Sequence, residues 1–165
     1  MKARAWIALG ANLEQPKEKL SEAVCALRKH FEVLKESSFY ASAPHGVTDQ
    51  PEFVNAVVSV QTELHPQEVL GILHQIEDEF GRVRTRHWGP RSLDLDLLGY
   101  ENWKYSGWEL NLPHPEILNR CFVLAPLEEI HPDWTKTYLD IDFKEAWKKL
   151  NASEVSELRK LKKQA

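Results

Sequence analysis

Residues 52–62 constrain the fold most strongly, because an apolar side chain recurs at every second position of this stretch. Successive side chains of a β-strand point to opposite faces of its sheet. Val54, Ala56, Val58 and Val60 therefore share one face, which suits a hydrophobic core. The opposite face mixes apolar and polar residues. The stretch predicts a strand with one core face and one half-polar face.

A helical period replaces the alternation after residue 62. Pro66 suits the first turn of a helix, and Gly81 suits its carboxyl end. Between them, apolar residues recur at the three- and four-residue spacing of an amphipathic helix. These residues are Val69, Ile72, Leu73, Ile76 and Phe80. Glu77 is expected at the exposed edge of this helix as a solvated side chain.

The order of the predicted elements indicates an α+β fold. A first strand over 4–9 precedes a helix for which Asn12 is the expected N-cap, with Gln15 in the capping-box position. Further strands are predicted over 32–40 and 92–98. The order strand, helix, strand, strand, helix, strand is a split β-α-β pattern, which favours helices packed over an antiparallel sheet. Later helices are predicted over 116–129, 143–150 and 153–162.

Size and charge set the class of protein. A chain of 165 residues predicts one domain over 1–165, with a helical extension at 143–165 that packs on it or trails from it. The net charge of −4 gives no attraction to nucleic acid or to anionic membranes, so neither is an expected partner. No stretch is long enough to span a bilayer. Cys25 and Cys121 are expected to be buried free thiols in a reducing cytoplasm.

Asp94 and Asp96 are the strongest candidates for chemistry. In a strand they share one face, while Leu93, Leu95 and Leu97 point to the other face and into a core. Neighbouring carboxylates repel each other unless a cation lies between them. Ligation by oxygen alone favours Mg²⁺. The pair by itself is equally compatible with a polar, solvated strand edge.

The residues around the pair favour a phosphate ligand. Arg82, Arg84, Arg86 and Arg91 crowd into the loop that leads to it, and arginine suits bidentate contacts with phosphate. Trp88 in the same loop can stack on a flat ring or anchor a core. The combination predicts a nucleotide polyphosphate ligand, but the chain has neither a Walker A loop nor a protein-kinase glycine loop.

Two other groups can complete such a site. His114, between two prolines, and Arg120 add positive groups downstream, although His114 can equally be a turn residue. Phe53 and Asn55 share the polar strand face. There they can bind a flat heterocycle by stacking and hydrogen bonding, or serve as ordinary core and turn residues.

The run from His87 to Leu98 resembles the signature of the 6-hydroxymethyl-7,8-dihydropterin pyrophosphokinases of folate biosynthesis. Pieces elsewhere agree with the family in order and spacing, so the resemblance extends over about residues 4–130. They are Leu9-Gly10-Ala11-Asn12-Leu13, Ser37-Ser38-Phe39-Tyr40, Asp49-Gln50-Pro51, Phe53-Val54-Asn55-Ala56, Gly81-Arg82-Val83-Arg84, Pro113-His114 and Asn119-Arg120.

The resemblance implies a ferredoxin-like α/β/α sandwich that acts as a monomer. It also implies transfer of the β,γ-diphosphate of ATP to the hydroxymethyl group of the reduced pterin, which leaves AMP. Asp94 and Asp96 would hold two Mg²⁺ ions, and Arg82 and Arg91 would be catalytic. The implied ATP-binding residues are His74, Glu77, Arg84, Trp88, Arg91, Leu97, His114 and Arg120. The implied pterin-binding residues are Ser42, Ala43, His45, Phe53, Asn55, Trp88, Asp94 and Phe122.

Two other classes of protein remain compatible with the residues alone. One is another metal-dependent transferase, such as a nucleotidyl- or glycosyltransferase, that uses the Asp-x-Asp pair. The other is a catalytically silent ferredoxin-like module that binds a ligand such as RNA. The acidic pair argues against RNA, because carboxylates repel its phosphates.

Overall fold

One antiparallel sheet organises the chain in the computed structural model, which describes residues 2–12, 15–42, 52–81 and 93–161. Its strands are β1 (Ala3–Ala11), β2 (Glu32–Glu36), β3 (Tyr40–Ser42), β4 (Phe53–Thr62), β5 (Asp94–Tyr100) and, after a small separate hairpin, β8 (Arg159–Lys160). The hairpin consists of β6 (Tyr105–Ser106) and β7 (Asn111–Leu112). The helices are α1 (Pro16–Arg28), α2 (Pro66–Gly81), α3 (Cys121–Ile130), α4 (Trp134–Leu139), α5 (Phe143–Lys148) and α6 (Ala152–Glu157), with a 3₁₀ turn at Ile117–Asn119.

The strand order is β5-β1-β4-β3-β8, and β2 pairs with the other end of β4. All these pairings are antiparallel. The long strands β1 and β4 lie at the centre, and α1 and α2 make the two crossovers of the split β-α-β pattern. The predicted α+β class, with a ferredoxin-like arrangement, is confirmed.

Both faces of the sheet are covered. Val54, Ala56, Val58 and Val60 pack beneath α1 and α2, as the alternation predicts. The half-polar face of β4 is buried as well, where Val57 joins a second core with α3 and with residues from α4 and α5. The polarity of one strand face carries no information about the helices that later cover it, which is why the alternation predicted only one core.

The carboxyl-terminal part of the chain differs from the prediction. The predicted helix over 153–162 is wrong beyond Glu157, because Arg159 and Lys160 form β8 against β3. The predicted helix over 116–129 is a 3₁₀ turn and α3, separated by Arg120 in an extended conformation. Helix α4 was not predicted. Pairing with β3 satisfies backbone hydrogen-bonding groups of Arg159 and Lys160. The spacing of apolar residues in the sequence does not reveal such a pairing.

Three local predictions are wrong. The capping box at Asn12 does not form, because Pro16 starts α1 directly after Gln15, which has a left-handed backbone and makes no side-chain cap. The strand predicted over 32–40 divides into β2 and β3. Cys25 is exposed, because it lies outside the apolar stripe of α1, whereas Cys121 is buried as predicted. Within the described ranges, no helix is long and apolar enough to cross a membrane.

Candidate functional site

A cavity of about 180 Å³ opens where β1, β3, β4 and β5 meet the amino end of α3. The chain brings seven predicted site residues together there from four separate segments. They are Ser42, Phe53, Asn55, Asp94, Asp96, Arg120 and Phe122, and the remaining lining residues are Ala8, Leu9, Gly10 and Val123. The side chains predicted to bind the pterin and those predicted to bind the metal therefore line one cavity.

Asp94 and Asp96 lie side by side along one face of β5 and both line the cavity. The leucines that alternate with them are buried in the core under α1 and α2. The alternation predicted from the sequence is confirmed. The two carboxylates are thus held by a strand whose opposite face is locked into the core.

Gly10 connects the two halves of the cavity and was not assigned a role from the sequence. On the central strand β1 it pairs with Asn55 on one side and with Asp94 on the other. A Cβ atom at this position would lie 3.1 Å from Asn55 Oδ1. Glycine therefore allows the Asn55 amide to lie close against β1. The Leu-Gly-Ala-Asn-Leu motif was the sequence signal for this position.

The Asn55 side chain is buried and oriented by a neighbour. Its Nδ2 donates a hydrogen bond of 2.8 Å to Ser42 Oγ. Because this bond uses one amide hydrogen, the amide is held in a single orientation at the cavity wall. Phe53 and Phe122 are half-buried and add aromatic surface to the same cavity.

Glu77 does not lie at an exposed edge of α2, and this prediction is wrong. The residue is buried, and its Oε2 accepts a hydrogen bond of 2.8 Å from the backbone N–H of Leu95. Leu95 lies between Asp94 and Asp96, on the strand at the end of the sheet order. The carboxylate therefore ties α2 to the segment that carries the acidic pair.

His114, Asp96 and Arg120 form a polar group at the rim of the cavity. Arg120 Nη1 lies 3.9 Å from Asp96 Oδ2. His114 Nδ1 accepts a hydrogen bond from the backbone N–H of Glu116, and the backbone N–H of His114 donates to Leu98 O. Burial lowers the pKa of His114, and Arg120 lowers it further, although Asp96 and Glu116 oppose this. Because Nδ1 accepts a hydrogen bond, the ring carries its proton on Nε2, and Arg120 is the positively charged member of this group.

His74 and Leu97 lie outside this cavity. His74 lines a groove of about 340 Å³ between α2 and the β6–β7 hairpin, together with Gln67, Leu70, Gly71, Tyr105, Trp108, Glu109 and Leu110. Leu97 is buried in the core on the opposite face from the acidic pair. Contact of Leu97 with a nucleotide would therefore have to come from its backbone atoms. Ala43, His45, Arg82, Arg84, Trp88 and Arg91 lie outside the described residues, so their predicted roles stay predictions.

The carboxylates of Asp94 and Asp96 fit Mg²⁺, which needs few protein ligands, better than a metal ion that is coordinated by protein side chains alone. Within the described ranges, no three histidine, cysteine or acidic side chains gather into a metal-binding group. Asp94 and Asp96 supply two carboxylates at one cavity. Mg²⁺ is commonly bound by one or two carboxylates, with waters and substrate phosphates completing its octahedral shell. The residues present fit an ion that arrives with a polyphosphate.

Comparison with known proteins gives concordant matches. Residues 6–132 match the family described as 7,8-dihydro-6-hydroxymethylpterin-pyrophosphokinase. A 2-amino-4-hydroxy-6-hydroxymethyldihydropteridine pyrophosphokinase from Haemophilus influenzae is 47% identical over 131 residues, which cover 78% of this chain and 82% of the relative. The Bacillus subtilis protein of the same name is 44% identical over 128 residues, with coverages of 76% and 77%.

Solved structures support the fold. The wild-type HPPK-DHPS of Plasmodium falciparum with pterin and p-hydroxybenzoate superposes with a TM-score of 0.73 at 14% identity, over 97% of this chain. This chain spans only 46% of the length of that one. At this level of identity the likeness establishes a common fold.

Proposed function

The chain belongs to the 7,8-dihydro-6-hydroxymethylpterin-pyrophosphokinase family, and on this premise we propose how its residues transfer the β,γ-diphosphate of ATP to 6-hydroxymethyl-7,8-dihydropterin. Family membership gives the chain pyrophosphokinase activity in folate biosynthesis, with small-molecule substrates and ATP as the co-substrate. The assignment of each residue below is the proposal.

The pterin occupies the cavity. Its flat ring matches the aromatic surfaces of Phe53 and Phe122, and Asn55, oriented by Ser42, hydrogen-bonds its edge. Ala43, His45 and Trp88 complete this half of the site in the proposal. A cavity of about 180 Å³ suits one small heterocycle. The hydroxymethyl group then points toward Asp94, which lines the same cavity beyond Gly10.

The phosphates of ATP lie over Asp94 and Asp96. Asp94 and Asp96 would hold two Mg²⁺ ions there, which would supply positive charge to offset that of the phosphates. The acidic pair would hold the ions on a rigid strand, and Arg82, Arg84, Arg91 and Arg120 would contribute positive charge for binding the phosphates. Neutral His114 can donate a hydrogen bond through Nε2, because its Nδ1 already accepts one. Positioning and charge neutralisation supply most of the catalysis in such a reaction.

The nucleoside end of ATP extends along α2. Glu77 and His74 lie one helical turn apart on this helix, and His74 lines the groove beside the β6–β7 hairpin. Glu77 acts in this proposal by holding the backbone of Leu95, and Leu97 meets the base through its backbone.

The transfer forms one bond and breaks another. The pterin oxygen attacks the β-phosphorus, the bond from the β-phosphorus to the α,β-bridging oxygen breaks, and AMP leaves. The hydroxyl proton is released to solvent or to a nearby base. The products are AMP and the pterin diphosphate.

The remaining proposals concern the protein as a whole. Residues 1–165 form one pyrophosphokinase domain. The packing of Ala146, on α5, in the same core as residues of α3 supports assigning the carboxyl-terminal helices to this domain. The enzyme works as a monomer, since the pterin-binding part and the ATP-binding part of the proposed site both come from one chain. A reducing cytoplasm suits its two unpaired thiols, one of which is exposed.

One observation carries the proposal: Asn55, Asp94 and Asp96 line the same cavity. The test is to incubate the protein with ATP, Mg²⁺ and 6-hydroxymethyl-7,8-dihydropterin and to measure AMP. AMP should form only when the pterin is present, and Asp96→Asn should abolish its formation. ADP as the nucleotide product, or AMP formation that is independent of the pterin, would refute the proposal.

Nothing in the described residues favours a silent binding module over an enzyme.

A further inference from the structure

Glu129, in the last turn of α3, accepts hydrogen bonds from three groups on Ser38 and Tyr40, where the chain enters β3. Its carboxylate accepts hydrogen bonds from the backbone N–H of Ser38 at 3.0 and 3.1 Å, from Ser38 Oγ at 2.8 Å and from the Tyr40 hydroxyl at 2.8 Å. Lys160 Nζ on β8 lies 3.8 Å from the same carboxylate. No role was assigned to this residue from the sequence.

The hydrogen bonds hold Glu129 in its charged form. Burial opposes ionisation and would raise its pKa, but the donors on Tyr40 and Ser38 and the charge of Lys160 outweigh burial, so the net pKa is lowered. The pKa of Tyr40 is raised by burial and by the neighbouring carboxylate, so its phenol stays protonated and donates. The contact is therefore a stable charge-assisted one at neutral pH.

The contact reaches the cavity along one row of the sheet. Asp94, Gly10, Asn55, Tyr40 and Lys160 are successive partners across β5, β1, β4, β3 and β8. Tyr40 lies directly opposite Asn55, and directly opposed side chains of an antiparallel pair lie on the same face.

A second path runs along β3 itself. Ser42, two residues beyond Tyr40 and so on the same face, accepts the hydrogen bond of Asn55. A shift of β3 would move Ser42 and release the Asn55 amide from its single orientation. The strand has only three residues, so its pairings with β4 and β8 are short.

We propose that Glu129 is a positioning residue for pterin recognition: it fixes β3 through Ser38 and Tyr40 and thereby sets the Ser42–Asn55 pair. The inference rests on the proposed function, because it takes Asn55 as the pterin contact. The residue touches neither substrate. Glu129 affects binding of the pterin and not of ATP, because the segment that carries the acidic pair is held separately, by Glu77 on α2.

The experiment compares steady-state kinetics of the full-length wild type, Glu129→Gln and Glu128→Gln. Glu129→Gln keeps the side-chain shape but loses the charge and one acceptor. The pterin KM should rise roughly fivefold, the effect of weakening one or two hydrogen bonds, while kcat and the ATP KM stay within about twofold. Glu128, the adjacent residue, bonds instead to the backbone of Asp133, so its variant should leave the pterin KM unchanged.

A double-mutant cycle separates positioning from general stability. If Glu129 acts through Asn55, Glu129→Gln should change the pterin KM little in an Asn55→Ala background. Equal effects in both backgrounds, or parallel changes in both KM values, would overturn the proposal. Tyr40→Phe, which removes only the hydroxyl, should raise the pterin KM in the same direction and serves if Glu129→Gln folds poorly. Absence of AMP formation by the wild type would instead refute the proposed function.

Discussion

Replacing Glu77 by alanine tests whether the acidic pair depends on its support from α2. The wild-type carboxylate accepts a hydrogen bond of 2.8 Å from the Leu95 N–H, between the two aspartates. Alanine leaves this buried donor without its acceptor, which costs about 1–3 kcal/mol. For a chain of this size, each kcal/mol lowers Tm by about 2–4 °C. We therefore expect Tm to fall by roughly 2–12 °C.

Activity should fall as well, because the strand segment between the aspartates loses its tie to α2. Loss of groups that orient metal ligands typically lowers metal affinity or activity by about 10–100-fold. We expect a fall of that order in kcat, together with a higher Mg²⁺ concentration for half-maximal rate. Calorimetry gives Tm, and a coupled AMP assay with a Mg²⁺ titration gives the kinetic change.

Two variants control for this result. Glu77→Gln keeps an acceptor oxygen and should recover most of the stability. Asp78→Ala changes the next residue of α2, which is exposed, and should leave both Tm and the Mg²⁺ requirement unchanged. If Glu77→Ala retained the wild-type Tm and Mg²⁺ dependence, the hydrogen bond to Leu95 would have no part in holding the pair.

Three further predictions concern single residues. Asp96→Ala should retain the fold, because the side chain faces the cavity rather than the core, but should lower kcat roughly a hundredfold or more at saturating Mg²⁺; circular dichroism and the AMP assay measure the two effects. Arg91→Ala should lower kcat by a larger factor than it raises the ATP KM, and the opposite ratio would make Arg91 a binding residue only. Burial is the main cause that lowers the pKa of His131, so stability should be full above about pH 6.5 and decrease as the pH falls through the lowered pKa. His131→Phe should therefore reduce the difference in Tm between pH 7.5 and pH 5.0, and an unchanged difference would refute this.

The face of β5 was predictable because strand alternation is local. Once residues 94–98 are taken as a strand, the two aspartates must share a face, and the alternating leucines show which face enters the core. The gathering of Asn55 with the acidic pair was not local. It followed from the family resemblance, since the residues lie on different strands with β1 between them.

Contacts made by side chains across elements were not predictable from spacing. Glu77 has the helical position of a solvated residue, and only the packing of α2 against β5 reveals that it accepts the Leu95 N–H. Glu129 is hidden in the same way, because its partners Ser38 and Tyr40 lie about 90 residues earlier in the chain. Strand β8 consists of Arg159 and Lys160, which lie within the helix predicted over 153–162.

The destination of the β-phosphate of ATP tests the central claim most directly. ATP carrying ³²P at the β-position is incubated with the protein, Mg²⁺ and 6-hydroxymethyl-7,8-dihydropterin, and the products are separated. All transferred label should appear in the pterin diphosphate, with an equal amount of unlabelled AMP, and Asp94→Asn or Asp96→Asn should prevent the transfer. Label in ADP or in inorganic phosphate, or transfer that survives the loss of either aspartate, would contradict the account.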